Sequence, residues 1–267
     1  MKTYVAGWGH TPFRRWEGED VESLLTQAID QALEDAEVDA KDIDEIFLGH
    51  FNGGLAAQDF TASLALQSQP EMRFKPTTRV ENACATGTAA VHAGIRAISS
   101  GQAHRVLVAG VEKMTDCPNV GEILARASYL KEEAHFDSFA DVFSYITQCY
   151  FERYGDQSDA MALIAAKNHL NGLANPFAHL HKELDYEFCS TESEKNPRVS
   201  GPLKRTDCSP ISDGAAALVL ADSETASASS TSVTVRAIAQ VNDYLPMSRR
   251  DMSRFEGCER VWQLVRD

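Results

Sequence analysis

The stretch Val80-Glu-Asn-Ala-Cys-Ala-Thr-Gly-Thr-Ala-Ala, residues 80–90, decides how the chain is read. It joins a short β-branched run, Thr77–Val80, to an alanine-rich run, Ala85–Ser100, that Gly101 stops. The first predicts a strand and the second a helix, so Cys84 falls in the turn between them. Working outward, the same alternation repeats. Thr3–Trp8 predicts a first strand. Val21–Ala36 carries apolar residues at 21, 24, 25, 28, 29, 32, 33 and 36, the period of a helix. Ile43–Gly49 predicts a buried strand, Asp59–Gln67 a short helix and Arg105–Gly110 another strand. The class that follows is α/β, a parallel sheet covered on both faces.

Beyond Val111 the pattern changes. Helices are predicted over Phe139–Arg153 and Ser158–Asn171, the second capped by Ser158. The segment 175–200 has Asn-Pro twice and no strand pattern. Residues 112–200 therefore read as an insertion. The α/β pattern resumes at Ala215–Ala221, a buried strand. Ser223–Ser232 is a small-polar linker, Val233–Gln240 predicts a new strand, and Met252–Val265 predicts its first helix.

Composition removes several classes. Lys plus Arg total 25 against 39 Asp plus Glu, a net charge of −14, with no basic patch. Nucleic acid and anionic membrane are poor partners for such a chain. The opening MKTYVAGWGHTPF lacks the apolar run of a secretory signal, and no stretch approaches about 20 apolar residues. The six cysteines show neither CxxC nor zinc spacing, which predicts reduced thiols, no metal and a cytoplasmic chain.

Cys84 lies where a parallel strand ends and a helix begins, the place where α/β proteins bind ligands. Unpaired N–H groups and the macrodipole favour an anion there, and a thiolate is a nucleophile suited to acyl transfer. Two readings of the residue stand together, this one and a small core cysteine. Ala85, Ala89, Ala93 and Ala97 recur every four residues, which predicts a helix buried between layers or across a dimer axis. His92 lies about 12 Å along that helix from Cys84, too far to serve as its base. His50 reads as a loop residue or as a site residue at the same sheet edge. His169, His179 and His181 fall in the insertion and are expected to be exposed.

Asn82-Ala-Cys-Ala-Thr-Gly, Gly110-Val-Glu-Lys-Met-Thr, Lys167-Asn-His with Asn175-Pro-Phe-Ala, and Cys208-Ser-Pro-Ile-Ser-Asp-Gly-Ala-Ala-Ala follow one another in order. In this the chain resembles the thiolase superfamily, in particular sterol-carrier-protein-2-type thiolases and acetyl-CoA acetyltransferases. The second and fourth segments favour thiolase over a ketoacyl-synthase-like condensing enzyme. The resemblance implies a layered thiolase fold: an N-terminal domain over 1–222 with the 112–200 insertion, a linker over 223–232, and the beginning of an incomplete C-terminal domain over 233–267. It implies an acyltransferase of lipid metabolism with acyl-CoA or coenzyme A as substrate and no permanently bound cofactor. Cys84 is then the nucleophile that carries the acyl thioester, and Ser209 falls where the family places a serine near the CoA pantetheine. On its own residues Ser209 is a turn residue beside Pro210, and Asp213-Gly214 sets a turn into the next strand. The family's second half carries a histidine motif and Cys-x-Gly, and neither a Gly-His-Pro-like motif nor Cys-x-Gly occurs in this sequence. The expectation is therefore an impaired acyltransferase working as a homodimer or homotetramer, or a non-catalytic subunit in a hetero-assembly with a complete partner.

Overall fold

The computed structural model describes residues 2–226 and 232–266, so 227–231 of the expected linker lie outside the described residues. Two compact units share the chain: Met1–Cys117 with Ser212–Ile238, and Pro118–Ile211 with Ala239–Asp267. The strands are β1 Thr3–His10, β2 Glu45–Gly49, β3 Thr77–Val80, β4 Arg105–Glu112, β5 Arg198–Ser200, β6 Leu203–Lys204, β7 Gly214–Asp222 and β8 Val233–Thr234. The first unit is built on one six-stranded sheet in the order β3-β2-β4-β7-β1-β8.

The sheet is mixed, where the sequence predicted a parallel one. β3, β2 and β4 run parallel, whereas β7 is antiparallel to both β4 and β1. The reason is the insertion. The chain leaves β4 at Glu112, and the residue that faces Glu112 across the ladder is Gly214, the first of β7. An excursion that departs and returns at the same sheet edge must send its second strand back the opposite way.

Helix α1, Val21–Ala36, covers one face. Asp20 caps it, accepting from the Ser23 amide at 2.9 Å while the Ser23 hydroxyl accepts from the Asp20 amide. Its buried stripe is Val21, Leu24, Leu25, Ala28, Ile29, Ala32, Leu33 and Ala36, the predicted set, and it packs with Ile46, Leu48, Leu107 and Val219. Helix α2, Thr86–Ser99, covers the other face, where Ala90, Ile95, Ala97 and Ile98 meet Val106, Val108 and Leu220.

The alanine repeat of α2 is not its buried face. Ala85 is exposed, Ala89 and Ala93 are half-buried, and only Ala97 is buried. A four-residue repeat advances about 40° per step relative to a 3.6-residue turn, so the four alanines spread over about 120°. The face against the sheet is Thr86, Ala90, Gly94, Ala97 and Ile98 instead.

One corner of this unit gives a pH prediction. The Asp222 carboxylate, at the end of β7, is 2.6 Å from His104 Nδ1 and accepts from the Thr225 amide and hydroxyl and from the Glu224 amide. Burial alone would raise the Asp222 carboxyl, but these hydrogen bonds outweigh it and hold it at about 2. The hydrogen bond to Asp222 raises His104 above its ordinary value. A carboxyl lowered on folding stabilises above its ordinary range, and that contribution fades as pH falls towards 2. A histidine raised on folding stabilises below its ordinary value and loses that contribution as pH rises through the folded one. His104→Asn is thus expected to lower the Tm at about pH 5.5 and to converge on wild type by about pH 9, leaving the acid decline in place. A Tm difference that stays constant across that range would refute it.

The second unit contains α3 Val120–Ala125, α4 Leu130–Glu133, α5 Phe139–Tyr154, α6 Ser158–Leu173, α7 Tyr186–Ser190, the β5-β6 hairpin, and α8 Glu256–Arg266. Ser138 and Asp141 form a capping box at the start of α5. The residue capping α6 by position is Gln157 rather than Ser158, whose amide and hydroxyl are held by Asp156 Oδ1. The segment 175–200, expected to lack strands, contributes β5. It is organised by buried Asn196, whose side-chain amide donates to the carbonyls of Phe188 and Thr191 and accepts from the Thr206 amide. Towards the C-terminus, the expected strand over 233–240 shrinks to β8, which pairs with Tyr4 and Val5 of β1. The last helix begins at Glu256 rather than Met252, because Asp251 turns the chain by accepting from the Ser253 amide and hydroxyl. Arg153 reaches Asp251 at 2.7 Å and the Ser253 hydroxyl at 2.6 Å. Among the described residues, no helix is long and apolar enough to cross a membrane.

Candidate active site

Three parallel strands end side by side. Gly49 on β2 is in register with Val80 on β3 and with Gly110 on β4. The residues that follow each strand therefore share one edge of the sheet: His50 and Phe51, Glu81 to Cys84, and Glu112.

Cys84 sits in a single 3₁₀ turn, Ala83–Ala85, directly ahead of α2, and it is exposed. The turn is strained. Ala83 has φ of +47°, a region that costs a residue with a Cβ about 1–3 kcal/mol. Side chains on both sides hold it there. Glu81 Oε1 accepts from the Ala83 amide, and Thr86 Oγ1 accepts from the Asn82 amide at 2.8 Å while donating to the Ala83 carbonyl at 2.6 Å. Gly49 matters beneath it, since a Cβ there would stand 3.0 Å from the Thr86 carbonyl and 3.1 Å from Gly87 Cα. A side chain at 49 would push the start of α2 outward, and Cys84 with it.

His50 is fully buried beside this turn. Its amide donates to the Val80 carbonyl, and its Nδ1 is 2.8 Å from the Thr61 hydroxyl. Arg79 clamps the same segment, Nε donating to the His50 carbonyl at 2.8 Å and Nη2 to the Phe51 carbonyl at 2.7 Å. Glu112 closes it from the other side, accepting the Phe51 amide on Oε1. The facing atoms, His50 Nε2 and Glu112 Oε2, stand 3.5 Å apart; both are buried and neither has a hydrogen-bond partner. Burial, with the Arg79 charge, lowers His50 to about 4, and burial raises Glu112 to about 7 against the amides of Phe51 and Asn52.

The sequence left His50 between a loop and a site residue. It did not single out Glu112, which was read only as part of a strand and turn. The available signal was a carboxylate two residues beyond the predicted end of a strand, at the edge where ligands bind. Of the other candidates, Ser209 is exposed in the loop ahead of Asp213 and belongs to the other unit. His92 is buried on α2. His181 is exposed as expected, whereas His169 and His179 are half-buried, His169 Nδ1 lying 3.1 Å from the Lys182 carbonyl. All six cysteines are free. Asp213 is an anchor, buried under the amides of Trp16, Met114 and Thr115, the Thr115 hydroxyl and the Lys113 ammonium.

A layered α/β unit that presents a cysteine in the turn between a parallel strand and a helix defines a protein equipped for chemistry at a thiol. The chain belongs to the thiolase family: the family's N-terminal domain matches residues 3–224. It is 32% identical to an acetyl-CoA acetyltransferase of Methanothermobacter thermautotrophicus over 255 residues, covering 94% of this chain and 66% of that protein. It is 34% identical to the acetyl-CoA acetyltransferase of Methanocaldococcus jannaschii over 224 residues, covering 83% of this chain and 56% of that one. Among solved structures, the Ltp2-ChsH2(DUF35) aldolase shares the fold over 98% of this chain and 68% of that chain, with a TM-score of 0.78 and 20% identity. The chain thus spans between about half and two-thirds of the curated relatives it matches.

Proposed function

We propose that this chain is a thiolase-type acyltransferase in which Cys84 accepts an acyl group from acyl-CoA as a thioester. The acyl group then passes to coenzyme A (thiolysis) or to the α-carbon of a second acyl-CoA (Claisen condensation). The observation that carries this reading is the exposed thiol of Cys84, held in a strained turn at the carboxyl edge of three parallel strands. Strain at one residue, maintained by hydrogen bonds from its neighbours, is the usual sign that a turn presents a group for use. Amides at the start of α2 supply the donors that a developing oxyanion needs. Ser209 is assigned to the CoA side of the reaction. With a net charge of −14, the chain engages an anionic CoA through local contacts rather than its overall field. We place the protein in the cytoplasm.

The reaction is expected to be slow for this chain by itself. Loss of a general base costs about 10²–10⁴ in rate, and condensation needs a second base for the α-proton. The sequence contains neither the histidine motif nor the Cys-x-Gly motif of the family's second half. Intact-mass spectrometry after incubation with a short acyl-CoA is expected to show one acyl adduct on the wild type and none on Cys84→Ser. Equal spectra for the two proteins would end this reading.

A second reading, a non-catalytic thiolase-like subunit that supports a complete partner, is favoured by one observation. Helix α8 has no buried residue, and its Trp262 is 64% exposed. An apolar helix left open in this way is the usual mark of a surface that another chain covers. A homodimer or homotetramer would cover it as well. A mass measurement in solution, with and without candidate partners, separates these assemblies.

A further inference from the structure

The deepest feature of the sheet edge is the pair His50–Glu112, and nothing above gives it a task. Two buried polar atoms that face each other at 3.5 Å with no other partner are costly to keep. Everything else about the two side chains is satisfied. Thr61 holds the far nitrogen of His50, and the Phe51 amide holds the other oxygen of Glu112. What remains open is one proton site between Nε2 and Oε2. Either the imidazole donates to a carboxylate or a carboxylic acid donates to the imidazole, and the gap accepts both.

The pair is also wired to the nucleophile turn. Glu81 is the charge that opposes ionisation of Glu112, and Glu81 Oε1 holds the Ala83 amide one residue before Cys84. Arg79, one residue beyond Thr78 on β3, grips the carbonyls on either side of the 50–51 peptide and counters both carboxylates. The charged groups facing the pair are thus Arg79 and Glu81 from β3 and its end, and Asp59 ahead of the Thr61 turn, 3.9 Å from Arg79. Lys113, next along the chain, is committed to Asp116 and Asp213.

We propose that Glu112 is the acid–base residue for Cys84 at this edge and that His50 is its positioning residue. The proposal rests on the reading of Cys84 as acyl acceptor. In acylation the Cys84 S–H bond breaks and its proton passes to Glu112 Oε2. The sulfur electron pair forms the new C–S bond to the acyl carbon, the C–S bond to coenzyme A breaks, and the departing thiolate takes the proton back from Glu112. Atoms and charge balance with no further reactant. His50, locked by Thr61, fixes the carboxyl group and offers the proton its second resting place. This arrangement would supply from the first half of the fold a base that the sequence otherwise lacks.

The test measures the rate of acyl-adduct formation on Cys84 against pH with a short acyl-CoA, beside the rate at which iodoacetamide labels the same cysteine. Wild type is expected to acylate with a limb that rises near pH 7. Glu112→Gln is expected to lose that limb and about 10²–10⁴ in acylation rate, while iodoacetamide labelling changes little. Glu112→Asp should recover part of the rate and the limb, and it also serves if the glutamine variant folds poorly. His50→Gln should displace the limb with a smaller loss of rate. Acylation by Glu112→Gln with the rate and profile of wild type would overturn the proposal. If wild type labels with iodoacetamide yet never acylates, the acyl-acceptor reading fails first and the role of Glu112 falls with it.

Discussion

Asp213→Ala is expected to destabilise the protein by about 3–5 kcal/mol, the cost of leaving a buried charge without its partner. The carboxylate is fully buried and stands at the head of β7. Oδ1 accepts the amides of Met114 and Thr115 at 2.7 and 2.8 Å. Oδ2 accepts the Trp16 amide, the Thr115 hydroxyl and the Lys113 ammonium at 3.1, 2.6 and 2.9 Å. Its own main chain bridges to Arg14 in both directions. Three segments of the chain meet on one side chain. Burial would raise this carboxyl, but the donors from Thr115, Lys113 and Trp16 outweigh it and hold it at about 2. The sign follows: the stabilisation is full above the ordinary carboxyl range and is lost as pH falls towards 2. Asp213→Asn offers little relief, because donors occupy both oxygens and an amide NH₂ meets a donor whichever way it turns. Urea denaturation at neutral pH checks the prediction. A midpoint within experimental scatter of wild type would mean that the five donors find equal partners elsewhere.

What the sequence disclosed and what it concealed divide along one physical line. Elements defined by local periodicity were legible: the buried stripe of α1 and the limits of β3 follow directly from their residues. So was the position of Cys84, because a strand signal and a helix signal abut there. Features set by register or by long-range return of the chain were not. The direction of β7 depends on where a roughly hundred-residue excursion re-enters, and no local pattern carries that. The buried face of α2 is fixed by Val106, Val108 and Leu220, so an alanine repeat with the wrong period misled. His50 and Glu112 are 62 residues apart, and only the Gly49–Gly110 register brings them together. Asn196 likewise reads as one half of an Asn-Pro turn until its side chain is seen to tie Phe188, Thr191 and Thr206. Polar residues whose value lies in a distant partner are the ones a single sequence hides.

Gly9→Ala is expected to cost about 3 kcal/mol or more, at the upper end of what overpacking does. Strand β1 and helix α1 touch at the level of their backbones. A Cβ at Gly9 would stand 2.2 Å from the Ala28 carbonyl oxygen, 2.6 Å from the Ala32 amide nitrogen and 2.7 Å from Gln31 Cβ. Two of these three obstacles are main chain inside a helix and cannot rotate aside. Nor can the strand retreat, because His10 donates its amide to Gln31 Oε1 and Trp8 donates its amide to Asp35 Oδ2, both on α1. On its other side β1 is held by β7 from Thr3 to His10. The methyl group must therefore part the helix from the sheet and open gaps around Leu24, Leu25, Ile29 and Leu33, the largest apolar groups on that face. Gly87→Ala provides the contrast, since nothing lies within 4 Å of a Cβ there and the residue is exposed on a helix. Relief of glycine's backbone entropy predicts a gain of about 0.5–1 kcal/mol. The two substitutions are the same chemical change with opposite expected signs, and chemical denaturation of both proteins under one set of conditions reads the difference. Equal stability for Gly9→Ala and Gly87→Ala would mean that α1 is not seated on β1 as described.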